Sequence, residues 1–323
     1  MFPVPYLVNL WRRSRRLFLV LVKVMLPVMA LVQVMQWLGW VDALGRVIAP
    51  AMGLLNLPPE AGMIWVAGMC VGVYGAIAAM ISLAPTLDFT AAQLSALCAM
   101  VLFAHGLPVE QAIVRRAGAS FWATGALRVG AAVLYAAIVG WACSWGGWLQ
   151  DPVSLGWLQG SALEGEPAGS GLMAWLQSTA VSLLITYGVI VALLVLLDIF
   201  DRTGLTRAIT ALLMPLLRLS GLNAQVAPVT TVGVLLGLSY GGALIIEEAD
   251  KNELSARTRF LALAWISLSH SLIEDTALLL TLGADIWIIL VGRVALTLAI
   301  VALLARVIKG DGPADARLSP AAG

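Results

Sequence analysis

The chain has 323 residues, 61% of them hydrophobic and 11% charged, with a formal net charge of +1. Soluble domains carry about 25% charged residues, so this composition excludes an ordinary soluble protein, and the near-neutral balance excludes a large basic face for nucleic acid. Several apolar runs approach or exceed the roughly 20 residues of a bilayer span, and they are continuous rather than alternating, which excludes a transmembrane barrel. The predicted fold class is an all-α polytopic membrane protein.

The first predicted element covers residues 17–40, preceded by the basic cluster Arg12-Arg13-Ser14-Arg15-Arg16. This run is too long for a signal-peptide core. Positive residues stay in the cytoplasm, which places the N-terminus inside. The next pieces are 42–57, 60–84, 91–107 and 119–142. A segment rich in Gly, Ser and Pro follows, from Ser144 to Gly171. It has no Lys or Arg, contains Trp145, Trp148 and Trp157, and is flanked by Trp141 and Trp175. Tryptophan favours membrane interfaces, so this segment reads as an external linker. The remaining pieces are 180–200, 203–221, 225–247, 256–272 and 285–308.

The second set repeats the first. Only two histidines are present, and they lie 165 residues apart (270 − 105 = 165). Sliding the chain by that amount aligns 17–142 with 182–307 and matches uncommon residue types. Gly39 meets Gly204, Pro50 meets Pro215, Gly68 meets Gly233, Gly72 meets Gly237, Trp122 meets Trp287 and Arg128 meets Arg293. A duplicated unit explains such matches. The linker is external and both termini are cytoplasmic, so each unit crosses an odd number of times. The prediction is two inverted-topology repeats of about five helical segments each, giving 8–10 membrane helices with some half-spans. The divisions are a cytoplasmic basic N-terminus (1–16), a first unit (17–142), an external linker with the start of the next helix (143–181), a second unit (182–307) and a disordered cytoplasmic tail (308–323).

The candidate chemistry lies in Ser267-Leu268-Ser269-His270-Ser271-Leu272-Ile273-Glu274-Asp275-Thr276 and its echo around His105 and Glu110. His270 and Glu274 are spaced to share a helix face beside Ser267 and Ser271. Carboxylates within a membrane mark function by default. Three roles are open: proton relay through histidine, binding of a divalent metal by His105, His270 and Glu274, or hydrogen bonding to a polar substrate. The inverted topology puts His270 near the outer end of its helix and His105 near the inner end, which favours a gate element over an active site. Arg128 and Arg293 each follow an acidic residue by 18 positions (128 − 110 and 293 − 275). That spacing predicts Glu110–Arg128 and Asp275–Arg293 pairs. Glu247 is a further acid, placed to face an inner vestibule. Gly68 and Gly72, with Gly233 and Gly237, have the spacing of tightly packed helices. With Gly241 and Gly242 they also permit unwound backbone at a substrate site. The three cysteines show no metal spacing and read as small core residues. No nucleotide-binding or hydrolase motif occurs, so an enzyme is not expected.

With Gly68/Gly72, Gly233/Gly237, Pro50/Pro215 and the His270–Thr276 stretch in hand, the chain resembles the nucleoside-recognition, or Gate-domain, family of bacterial inner-membrane proteins. That family is similar to the Gate regions of ferrous-iron transporter B and to spore maturation proteins A and B. The chain lacks the GTPase domain of the iron transporters, and Cys70 aligns with Leu235 in the second unit. The resemblance implies a cytoplasmic-membrane protein recognising nucleoside-like solutes. The functional expectation is a permease that moves a small polar solute by alternating access, coupled to protons or ions where it is coupled. The alternatives are a non-transporting scaffold or complex subunit, and a divalent-metal permease. No cofactor is expected unless a divalent metal is held. The expected partners are the bilayer, a small molecule or ion, and a second copy or another membrane subunit.

Overall fold

The structure, a computed structural model, describes residues 4–159, 172–222, 226–238, 241–242, 244–246 and 254–308. The described chain is almost wholly helical. Helix α1 (Val4–Trp37) begins well ahead of residue 17, so Arg12 to Arg16 lie within the helix rather than before it. Arginine is a good helix former, and the cluster interrupts nothing. Arg13 Nη1 reaches Asp198 Oδ1 at 2.9 Å, on helix α8 (Leu172–Thr203). Both α1 and α8 run out at a left-handed glycine, Gly39 with φ 69° and Gly204 with φ 75°, a conformation that a Cβ disfavours. Each is followed by a short helix with an internal proline: α2 (Trp40–Gly53) with Pro50 and α9 (Leu205–Leu219) with Pro215.

The pieces read as 60–84 and 225–247 are each broken at a glycine. Helices α3 (Pro59–Val71) and α4 (Val73–Leu83) are separated by Gly72 at φ 119°, ψ −178°. Helix α10 (Ala227–Leu236) ends at Gly237 with φ 104°, ψ 167°. Essentially only glycine occupies this region. Gly68 and Gly233 serve packing instead. A Cβ on Gly233 would come 2.8 Å from the Cα of Gly241, and one on Gly68 would come 3.2 Å from the Cβ of Ala76. One glycine of each pair breaks the helix, and the other lets the chain beyond the break pack close.

Helices α5 (Ala91–Phe103) and α11 (Ala256–Ser269) form the centre. Residues 94–106 and 261–270 are buried without interruption, as expected of helices apolar on every face. They start alike. Thr90 Oγ1 accepts from Gln93 N, and Ser255 Oγ accepts from Thr258 N, at 3.2 Å in both cases. They also stop alike, short of the predicted ends. After α5 the chain turns through Gly106 (φ 57°) into α6 (Leu107–Arg116). After α11 it turns through Ser271 (φ 49°) into α12 (Glu274–Leu280). Arg115 and Arg116 therefore close a helix, where their charge suits the dipole, rather than lying in a loop.

Helix α7 (Phe121–Gly146) packs on α5. Its counterpart α13 (Arg293–Val307) follows a π-helical segment, Trp287–Gly292. The Tyr135 hydroxyl donates to the Ile288 carbonyl at 2.7 Å. The missing side chain at Gly292 leaves room for that hydroxyl. Strands β1 (Phe89–Thr90) and β2 (Pro152–Val153) pair antiparallel and tie the linker to the start of α5.

Among the described residues, four stretches are long and apolar enough to cross a membrane: Ala91–Arg116, Phe121–Gly146, Leu172–Phe200 and Trp287–Val307. The first contains the break between α5 and α6. Met25–Trp37, Pro59–Val71, Val73–Thr86 and Ala208–Leu219 are shorter apolar helices. Among the described residues these lengths are consistent with a polytopic membrane protein. Of the cysteines, Cys98 and Cys143 are buried as expected, whereas Cys70 is exposed.

Candidate functional site: a histidine pair at two helix breaks

The two breaks meet. Residues whose helices end at Phe103 and Ser269 deliver His105 and His270 to one point, and their Nε2 atoms lie 3.0 Å apart. Both imidazoles are buried. Each ring is fixed in the same way. His105 Nδ1 lies 2.8 Å from the Val101 carbonyl, and His270 Nδ1 lies 3.1 Å from the Ile266 carbonyl. A carbonyl only accepts, so each Nδ1 carries the proton and each Nε2 presents a lone pair. Two ring nitrogens that face one another at 3.0 Å suit a shared cation, a proton or a metal.

Two carboxylates surround that gap. Glu110 Oε1 lies 3.2 Å from His270 Nε2 and 3.4 Å from His105 Nε2. Asp275 Oδ2 lies 3.7 Å from His105 Nε2. The donor atoms of His105, Glu110 and His270 all fall within 4.8 Å of one another, a group that could coordinate a divalent metal.

The arginines seal the breaks. A helix end leaves carbonyls without intrahelical partners, and burial makes that costly. Arg128 Nε donates to Phe103 O and its Nη2 to His105 O, both at 2.8 Å. Arg293 Nε donates to Leu268 O at 2.9 Å and its Nη2 to His270 O at 3.2 Å. The acceptors differ by the histidine spacing of 165 residues (268 − 103 and 270 − 105), as do the arginines (293 − 128). The third contact differs between the halves. Arg128 Nη1 donates to Glu110 Oε2. Arg293 Nη1 has no hydrogen-bond partner among the described residues, although its Nη2 also reaches Leu102 O at 2.9 Å. The predicted Glu110–Arg128 pair is present. The predicted Asp275–Arg293 contact is not made, and the shorter Asp275 side chain stands by His105 instead.

Three further expectations are corrected. His270 and Glu274 do not share a helix face, because α11 ends at Ser269 and Glu274 opens α12. Glu274 is exposed and outside the donor group, and Glu110 takes the place predicted for it. His105 and His270 do not lie at opposite ends of the protein, because their helices stop where they meet. Ser267 is buried, and its hydroxyl has no hydrogen-bond partner among the described residues. Gly241 and Gly242 are buried helical backbone, Gly242 facing Ile113. Glu247 lies outside the described residues. Gly106 and Ser271, whose left-handed backbone makes both breaks, did not stand out as site residues. Their signal was positional: Gly106 aligns with Ser271 at the histidine spacing (271 − 106).

The chain is 27% identical over 282 residues to the "Uncharacterized membrane protein YvoD" of Bacillus subtilis (strain 168), covering 86% of this chain and 88% of that protein. No family model matches the chain. No solved structure matches it.

Proposed function

We propose that the protein is a membrane permease, not an enzyme, in which two inverted units alternate about the His105–His270 contact. The observation that carries this reading is the asymmetry of the two buried arginines. Arg128 and Arg293 make equivalent bonds to equivalent carbonyls, yet among the described residues only Arg128 holds a carboxylate. A buried, unpaired guanidinium N–H is costly, so Arg293 Nη1 is poised for a partner. Asp275, the counterpart of Glu110 at the same spacing, is the candidate. In the alternate state Asp275 would take Arg293, and Glu110 would release Arg128. Such an exchange is what alternating access by pseudo-equivalent halves requires.

Broken helices whose ends point into the protein are also the usual construction of transporter binding sites. Gly72, Gly237, Gly106 and Ser271 supply four such breaks. The cargo on this reading is a small polar solute, nucleoside-like as the Gate-family resemblance implies, with any proton or ion coupling seated at the histidine pair. The permease would sit in the cytoplasmic membrane with both termini inside.

The test is uptake of labelled nucleosides, carboxylates and amino acids into proteoliposomes holding the purified protein. Saturable uptake that Asp275→Asn abolishes supports the exchange. Absence of any flux, together with a stably co-purifying membrane partner, would favour a scaffold.

A further inference from the structure

We infer that His105, His270 and Glu110 form a binding site for a borderline divalent metal ion of the Zn2+ and Co2+ type, which joins the two halves of the protein. The inference names an ion for the same centre that the permease reading uses, and it rests on that reading only for the idea that the halves move.

The donor spacing carries the argument. The three edges of the donor triangle are 3.0, 3.2 and 3.4 Å. Donors bound to one ion at about 2.0–2.2 Å, at tetrahedral or octahedral angles, sit about 2.8–3.5 Å from one another. The site thus supplies three ligands to one side of an ion, short of a full coordination shell. Asp275, 3.7 Å from His105 Nε2, is the side chain in position to supply a fourth.

The outer contacts are those that metal sites need. Each Nδ1 is committed to a backbone carbonyl, which fixes the ring and leaves Nε2 as the ligand atom. The free oxygen of Glu110 is held by Arg128. The two guanidiniums are turned onto the carbonyls of Phe103, His105, Leu268 and His270, while both nearby carboxylates face the gap. Two imidazoles and a carboxylate favour transition ions over Mg2+ or Ca2+, which prefer oxygen throughout. One histidine comes from each side of the duplication, so an ion bound here fastens the two helix breaks together and must leave before they part.

The test uses the intact purified protein in detergent, stripped with chelator and titrated with Co2+ and then Zn2+. The expected result is one ion per chain, unaffected by millimolar Mg2+, with X-ray absorption showing two imidazoles and oxygen donors. A metal-dependent rise in thermal stability is also expected. His105→Ala and His270→Ala should each weaken binding by at least about 100-fold and abolish the stabilisation. The wild-type absorption spectrum keeps the test valid if either variant fails to fold. Sub-stoichiometric binding, a first shell without imidazole, or unchanged binding in the folded histidine variants would overturn the proposal. Solute flux with no metal binding sinks the metal site and spares the permease. Metal binding without flux of any solute does the reverse.

Discussion

Arg128 and Arg293 lie 165 residues apart (293 − 128) and donate to carbonyls that lie 165 residues apart, with the same atoms in the same roles. Each guanidinium replaces a turn of helix that the chain does not make. Lysine cannot do this, because a single ammonium lacks the planar fork that spans two carbonyls. Arg128→Met, which also leaves Glu110 without its counter-ion, should destabilise the protein by about 3–5 kcal/mol, the cost of breaking a buried pair. Arg293→Met should cost less, because among the described residues it holds carbonyls and no carboxylate. Thermal unfolding of the purified variants in detergent ranks them, and the reverse order would refute the assigned roles.

The two carboxylates should also differ. Glu110→Gln strips Arg128 of its counter-ion and should cost about 3–5 kcal/mol. Asp275→Asn breaks no ion pair with an arginine in this state, and it should unfold close to the wild-type temperature. Equal losses in the two variants would mean that Asp275 already supports the fold.

The glycine breaks make a graded prediction. Gly72→Ala and Gly237→Ala force a side chain into a glycine-only region and should cost about 1–3 kcal/mol each. Gly39→Ala, at an ordinary left-handed position, should cost about 1 kcal/mol. Space does not decide the order, since a Cβ at Gly72 or Gly39 meets nothing within 4 Å. Unfolding midpoints in urea with detergent would show whether backbone conformation sets the ranking.

The π-helical segment depends on Tyr135. Tyr135→Phe leaves the Ile288 carbonyl without its hydroxyl donor and should cost about 1–3 kcal/mol. Gly292→Ala drives a methyl into the tyrosine hydroxyl and should cost at least as much. In Gly292→Ala combined with Tyr135→Phe the clash is relieved, so the double variant should be more stable than the sum of the singles predicts.

Much of this centre was legible in the sequence because it is built from rare residues. In an apolar chain, matched His, Pro, Trp and Arg stand out, and the 18-residue interval from acid to arginine correctly paired Glu110 with Arg128. The same interval failed for Asp275. The arithmetic cannot see that a side chain one methylene shorter, leaving a different turn, settles beside His105. The helix ends failed for another reason. Ser267 to Thr276 has no glycine or proline, so nothing local stops a helix there. The break follows from Ser271 adopting φ 49°, a conformation that residues with a Cβ seldom take. Reading both helices as complete spans then pushed the histidines to opposite faces. Comparison with Gly106 was the available clue, because its place in the first half marks where the second must turn.

The near-equivalence of the arginine clamps has an energetic corollary. Where two halves offer interchangeable donors and acceptors, swapping their roles leaves the inventory of bonds almost unchanged. The two forms would then be close in energy. On the permease reading, directionality would come chiefly from the concentrations on either side, and a single methylene, Glu110 against Asp275, would be the residual bias built into the chain.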